Sequence, residues 1–267
     1  MGKNKLKKFA EMETFTNVFQ CVARELNNMQ RAQAETESPR HEMAGHWRER
    51  YFHNDNPIVL ELGCGRGEYT VGLARRYPNK NFIGIDIKGA RMWAGAKEAE
   101  LAGLKNVAFL RTNIEVITSF FAAGEVDEIW ITFCDPQMKK ATKRLTSTYF
   151  MQRYQQIVRP DGLIHLKTDS PFLYTYTCEM VRLNAYPVLC NTDDLYAQNT
   201  DTAEQQERLD DARALQTHYE KQWLDRGLTI KYLEWQLTHK TAFEEPVIEI
   251  EHDTYRSYGR NYTTGQK

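Results

Sequence analysis

The sequence contains no apolar run approaching the roughly 18 residues that a membrane-spanning helix requires, which excludes a helical integral membrane protein as the expectation. Its lysine-rich start, Met1 to Lys8, is not followed by the apolar stretch and small-residue cleavage site of a secretory leader. A cytoplasmic location is expected. Cysteine is sparse: Cys21, Cys64, Cys134, Cys178 and Cys190 are scattered and form no CxxC pair, which argues against a disulfide framework, a zinc knot or a redox centre. They are expected to be reduced and mostly buried. Net charge is only −1, so nothing attracts phosphate globally, and any nucleic-acid partner must be held by local basic patches. Metal-ligand spacing is missing too. His41-Glu42 and His46 are five apart, not the four that would put two histidines on one helical face, and no metal is expected.

What is present suits one large α/β domain: 267 residues, 41% hydrophobic and 27% charged. Residues 1–8, with Lys3, Lys5, Lys7 and Lys8 and no acid, are expected as a flexible basic tail, either merely solvated or reaching RNA. Residues 9–54 form an N-terminal extension that is polar and expected to be helical to about Arg50, broken where Ser38 caps and Pro39 opens a new helix. After Pro57 the pattern changes. Short β runs at 58–62, 81–86, 107–111, 128–133 and 162–167 alternate with helical stretches at 68–77, 91–103, 114–121 and 147–157. Alternation at this spacing predicts a Rossmann-like, mostly parallel, doubly wound sheet with helices on both faces and a ligand at the carboxyl ends of its strands. This domain is expected to run over residues 55–240, with a C-terminal extension at 241–267.

The first strand enters Glu61-Leu62-Gly63-Cys64-Gly65-Arg66-Gly67, where glycines permit a sharp turn and close approach to a ligand. Such a turn serves NAD enzymes as well as methyltransferases. Glu61, at the strand end, favours S-adenosyl-L-methionine, whose ammonium a carboxylate can pair and which NAD lacks. Asp86, closing the second strand, is placed to accept both ribose hydroxyls. Asn113, past the third strand, can meet the adenine edge, cap the following helix, or do both.

Glu61 to Gly67, Gly84-Ile85-Asp86-Ile87-Lys88, Phe133-Cys134-Asp135-Pro136, Lys167-Thr168-Asp169 and Thr217-His218-Tyr219-Glu220 occur in the order and spacing of the bacterial tRNA (guanine-N7)-methyltransferase family. Over about residues 55–235 the chain resembles that family, a class I methyltransferase. The resemblance implies methyl transfer from S-adenosyl-L-methionine to N7 of a variable-loop guanosine in tRNA. It implies cofactor binding at Glu61, Asp86, Asn113 and Asp135, with Asp135 also catalytic, and substrate binding at Lys139, Asp169 and Thr217 to Glu220. The sequence departs from the family pattern where Cys134, Gln137 and Met138 replace the proline, the tryptophan and the residue after it, and its basic stretch is about two residues shorter.

Guanine N7 is an unprotonated lone pair, so its methylation needs positioning and electrostatics but no general base. A carboxylate at Asp135 could stabilise the positive charge that develops on the purine. Lys139, Lys140, Lys143 and Arg144 form a run of cations without an acid, suited to RNA phosphates. Asp169 and Glu220 could accept from N1 and N2 of a guanine turned out of its stack, and Tyr219 could stack on it or be a buried aromatic. Asp201, Glu204, Glu207, Asp210 and Asp211 are expected on a solvent-facing helix. The alternatives are a methyltransferase of the same fold acting on another RNA or a small molecule, and a non-catalytic RNA-binding relative; an NAD dehydrogenase ranks third. Monomer and homodimer both remain open.

Overall fold

The computed structural model describes residues 2–26, 40–198, 200 and 202–254. The expected Ser38-Pro39 helix break lies outside these residues, as does Asp201. Eight strands form one sheet: β1 (Val18–Gln20), β2 (Ile58–Leu62), β3 (Asn81–Ile85), β4 (Val107–Arg111), β5 (Val126–Thr132), β6 (Val158–Thr168), β7 (Val188–Thr192) and β8 (Lys231–Leu237). Their spatial order is β1-β4-β3-β2-β5-β6-β8-β7. All neighbours are parallel except β8, which runs antiparallel to both β6 and β7. The helices are α1 (Gly2–Met12), α2 (Glu68–Arg76), α3 (Gly89–Leu101), α4 (Thr148–Ile157), α5 (Pro171–Leu183), α6 (Ala203–Arg213) and α7 (His218–Leu224).

Every residue of β2 and β3 is buried, as strands covered on both faces must be. Along β2, Ile58, Leu60 and Leu62 enter one apolar layer with Phe150 and Tyr154 of α4 and Leu173 and Tyr176 of α5. Val59 points the other way, into a layer with Tyr69 of α2, Met92 of α3 and Leu209 of α6. The doubly wound arrangement anticipated from the sequence is therefore present, with β2 at the centre, where the strand order reverses. None of the five cysteines is in a disulfide; Cys21, Cys64, Cys134 and Cys190 are buried, and Cys178 is half-buried.

The N-terminal region differs from expectation. The lysine-rich start is helical rather than a flexible tail, because α1 is tied to α3: Glu11 accepts from Trp93 Nε1 at 2.9 Å and pairs with Lys97 at 2.6 Å, and Met12 is buried. Lys8 lies over the Trp93 ring at 4.4 Å. Within the stretch expected to be helical, Val18–Gln20 adds an edge strand beside β4 instead, with Val18 opposite Phe109. Asn17 donates to the Ala96 carbonyl of α3 at 2.9 Å, and its own carbonyl accepts from the Phe109 amide at 2.7 Å, in keeping with this register. Past β8 the chain crosses α4 and α5 as an extended strap. Glu245 accepts from the Thr148 amide at 3.2 Å and from the Tyr176 hydroxyl, and Asp253 accepts from the Phe172 amide at 3.1 Å.

Candidate active site

The carboxyl ends of β2, β3, β4 and β5 border a cleft of about 570 Å³ at the point where the strand order reverses. That is where an open α/β sheet binds its ligand, and the volume suits a nucleotide-sized molecule. The glycine turn forms one wall. Gly63, Gly65 and Gly67 all hold positive φ, at 75°, 55° and 75°. A Cβ on Gly63 or Gly65 would meet nothing nearer than 3.9 Å, so these two present open backbone to the cleft. Gly67 does something else. A Cβ there would come within 2.6 Å of the Phe109 ring, and Gly67 does not line the cleft. It lets α2 pack against β4, and its expected ligand contact is corrected accordingly.

Glu61 closes the floor of the cleft. Its carboxylate accepts from the Thr70 amide at 2.8 Å, from the Thr70 hydroxyl, and from the Thr132 hydroxyl at 2.8 Å. Burial pushes its carboxyl up to about 7, against the pull of these hydrogen bonds, with the Asp86 charge adding to the rise. Asp86 accepts from the Gly65 amide at 3.0 Å with one oxygen and from the Lys88 amide at 2.7 Å with the other. Each oxygen keeps a lone pair for a hydroxyl. Asn113 precedes the short 3-10 helix Ile114–Ser119, but its side chain makes no cap; it accepts from the Ala23 amide at 3.4 Å and lines the cleft. A buried carboxylate, a diol acceptor, an amide and an open glycine backbone in one cleft fit the ammonium, ribose, adenine and main body of S-adenosyl-L-methionine.

Asp135 stands exposed at the mouth, in a turn bounded by Phe133 and Gln137, both at φ 48°. It accepts from the Gln137 amide at 3.0 Å. Lys139 and Lys140 follow on the same loop, exposed but outside the cleft wall. Lys143 lines the wall and pairs with Glu115 at 2.8 Å. Arg144 does not join this cationic surface: it is buried, and its guanidinium lies 4.4 Å from the Tyr176 ring centre and 4.8 Å from that of Phe172. The expected phosphate contact at Arg144 is corrected, since a phosphate cannot reach an enclosed guanidinium.

The segment carrying the Thr217 to Glu220 motif forms the opposite rim. Thr217, Tyr219 and Trp223 line the cleft. Tyr219 is 47% exposed, which leaves its ring available for stacking and excludes the buried-aromatic alternative. His218 is exposed beside the cleft, and its amide donates to Glu68 at 2.7 Å, joining the start of α7 to α2. Glu220 cannot serve as the expected guanine acceptor. It is fully enclosed, pairs with Lys167 at 2.8 Å, accepts from Tyr196 at 2.7 Å, and closes a capping box with Thr217. Asp169 is likewise buried, outside the cleft wall, and its expected contact with a flipped base is also corrected. The sequence reading missed Thr70, Thr132 and Glu68. Thr132 ends β5 directly before the recognised Phe133-Cys134-Asp135-Pro136 motif, a signal that was within reach.

Comparison with known proteins places these residues in a family. A family model described as "Putative methyltransferase" matches residues 55–233. The tRNA (guanine-N(7)-)-methyltransferase of Bacteroides thetaiotaomicron is 56% identical over 99% of this chain and 98% of its own length. That of Porphyromonas gingivalis is 57% identical over 94% and 97%. Among solved structures, the 16S rRNA methyltransferase KamB superimposes with a TM-score of 0.54 at 14% identity, covering 74% of this chain and 96% of its own, which is a likeness of fold. On the extent and identity of these matches, the chain belongs to the tRNA (guanine-N(7)-)-methyltransferase family.

Proposed function

We propose that this chain transfers the methyl group of S-adenosyl-L-methionine to N7 of a guanine in tRNA, the variable-loop guanosine being the target. The observation that carries the reading is the convergence of Glu61, Asp86, Asn113 and Asp135 on a single cleft whose far rim is the exposed ring of Tyr219. S-adenosyl-L-methionine, when bound, supplies an electrophilic methyl on a sulfonium. Glu61 would hold its ammonium, Asp86 its ribose hydroxyls and Asn113 its adenine edge, while Gly63 and Gly65 let it lie against the backbone. Tyr219 would stack on a base turned out of the RNA. Asp135 faces that base from the other rim and stabilises the positive charge that grows on the purine as N7 takes the methyl. No proton leaves N7, so no general base is assigned.

The exposed Lys139 and Lys140 would hold phosphates near the mouth. Among the described residues no helix is long and apolar enough to cross a membrane, and no group of three or more His, Cys, Asp or Glu is arranged to hold a metal. A cytoplasmic site of action alongside tRNA belongs to the same proposal. The test is to incubate the protein with labelled S-adenosyl-L-methionine and bulk tRNA and digest the product to nucleosides. N7-methylguanosine is expected; label in another nucleoside, or none in RNA, would refute the reading.

A further inference from the structure

Arg144 lies in the basic run following the Asp135 turn, yet its side chain turns inward. The guanidinium is held between Tyr176 and Phe172 of α5, at 4.4 and 4.8 Å from their ring centres. From there its Nε donates to the Gln137 carbonyl at 3.2 Å and a terminal nitrogen donates to the Met138 carbonyl at 2.9 Å. Gln137, like Phe133, holds positive φ, and its amide is the donor to Asp135 at 3.0 Å. The strap reinforces the arrangement from behind. The Asp253 amide donates to the Met138 sulfur at 3.2 Å, and Tyr176 donates to Glu245.

We propose that Arg144 is a positioning residue: by bridging the Gln137 and Met138 carbonyls to the α5 aromatics, it fixes the turn that aims Asp135 into the cleft. The planar fork suits this role, because separate guanidinium nitrogens reach the two carbonyls while the flat face lies against two rings, and a lysine ammonium, with all its donors on one nitrogen, has no planar face to hold that arrangement at the same time. Residue 137 in the left-handed region is costly for a non-glycine side chain and persists only where surrounding contacts over-determine it. Arg144 supplies two of those contacts.

The proposal rests on the methyl-transfer reading for its activity readout, and hydrogen exchange supplies one that does not. Arg144→Ala and Arg144→Lys would be compared with the wild type in kcat and KM for tRNA methylation, in the salt dependence of tRNA binding, and in amide exchange over residues 133–145. Both variants are expected to lose kcat by on the order of 10–100-fold, as a misaimed reacting group does. The KM for tRNA, the salt slope and cofactor affinity should hold. Exchange at 135–140 should quicken in both, and added methylguanidinium, but not sodium chloride at equal ionic strength, should restore part of the Arg144→Ala turnover. If Arg144→Ala does not fold, Arg144→Lys, which keeps the aliphatic stem, carries the test. A reduced salt slope in Arg144→Ala that Arg144→Lys restores would make the residue an RNA contact and overturn the proposal. So would unchanged exchange at 135–140. Quickened exchange in a protein whose wild type yields no N7-methylguanosine would uphold the clamp and reject the function instead.

Discussion

The Lys167 ammonium and the Glu220 carboxylate meet at 2.8 Å with both side chains fully enclosed. Lys167 also donates to the Ala212 and Leu215 carbonyls, at 2.7 and 2.8 Å. Strand β6 is thereby fastened to the link between α6 and α7, and through it to the rim bearing Thr217 and Tyr219. Burial pushes the lysine's pKa down, and Glu220 pulls it back up. Removing one partner leaves the other charge buried alone, so Lys167→Met and Glu220→Gln should each cost about 3–5 kcal/mol in urea unfolding. Lys167→Met/Glu220→Leu should cost less than the two singles added together. Strict additivity would show that the two charges act independently.

Glu61 should make cofactor binding sensitive to pH. Its carboxyl sits at about 7 in the cofactor-free protein, and a cationic ammonium selects the ionised form. Affinity measured by calorimetry should therefore fall about tenfold from pH 8 to pH 6, with proton release on binding near neutrality. Glu61→Gln should bind weakly and without this pH dependence. The stability effect has the opposite sense: the folded pKa lies above the ordinary 4.5, so the stability this group contributes is present below about pH 4.5 and is lost as pH rises through 7. Glu61→Gln should melt above the wild type at pH 8 and close to it near pH 4.5.

Two glycines of one turn should respond differently to the same substitution. Gly67→Ala drives a methyl to within 2.6 Å of Phe109, and Gly63→Ala meets open cleft, while both positions carry φ of 75°. The strain of positive φ is common to the two, at about 1 kcal/mol or more. Gly67→Ala should lose a further 1–3 kcal/mol, roughly, from overpacking. Gly63→Ala should lose cofactor affinity out of proportion to its stability. Equal melting temperatures would contradict the division of roles.

The periodicity after Pro57 carried the parallel sheet, because each strand there is a run of apolar residues bounded by a helix of ordinary length. Strand β1 was not legible: Val18-Phe19-Gln20 is three residues long, and its pairing with β4 depends on contacts some 90 positions distant. That Glu61 and Asp86 would line the cleft could be read, since each stands at the carboxyl end of a strand, Glu61 just before the glycine turn. Glu220 was misread for a definable reason. Thr217-x-x-Glu220 is also a capping-box sequence, and whether its glutamate faces ligand or core depends on Lys167, which lies 53 positions away on another strand. Arg144 was illegible in the same sense, because a basic run does not reveal which cation turns onto aromatics 28 and 32 positions later.

The exposed lysines should contribute to RNA affinity through charge alone. Lys139→Ala and Lys140→Ala should each weaken tRNA binding and lower the slope of log affinity against log salt by about 0.7–0.9, the share of one neutralised phosphate. Lys143 already pairs with Glu115 at 2.8 Å, so Lys143→Ala should change the slope less. Unchanged slopes for Lys139 and Lys140 would return that loop to ordinary solvated surface.

Asp135→Asn isolates the charge at the cleft mouth from everything else the residue does. The asparagine oxygen can still accept from the Gln137 amide, so the turn set by Phe133 and Gln137 is retained, and neither Glu61 nor Asp86 is touched. What disappears is the negative charge that the proposed mechanism sets against the purine as it becomes cationic. A group that interacts with charge formed during the reaction acts on the transition state more than on bound substrate, so kcat should fall by on the order of 100-fold while tRNA and cofactor affinities change little. Because N7 carries no proton, the residual activity should show no new titration step between pH 6 and 8 attributable to a lost base. The product should remain N7-methylguanosine. Wild-type turnover in this variant would reduce Asp135 to a turn-former and leave catalysis to the positioning of base and cofactor; a large loss of tRNA affinity instead would make it a binding residue.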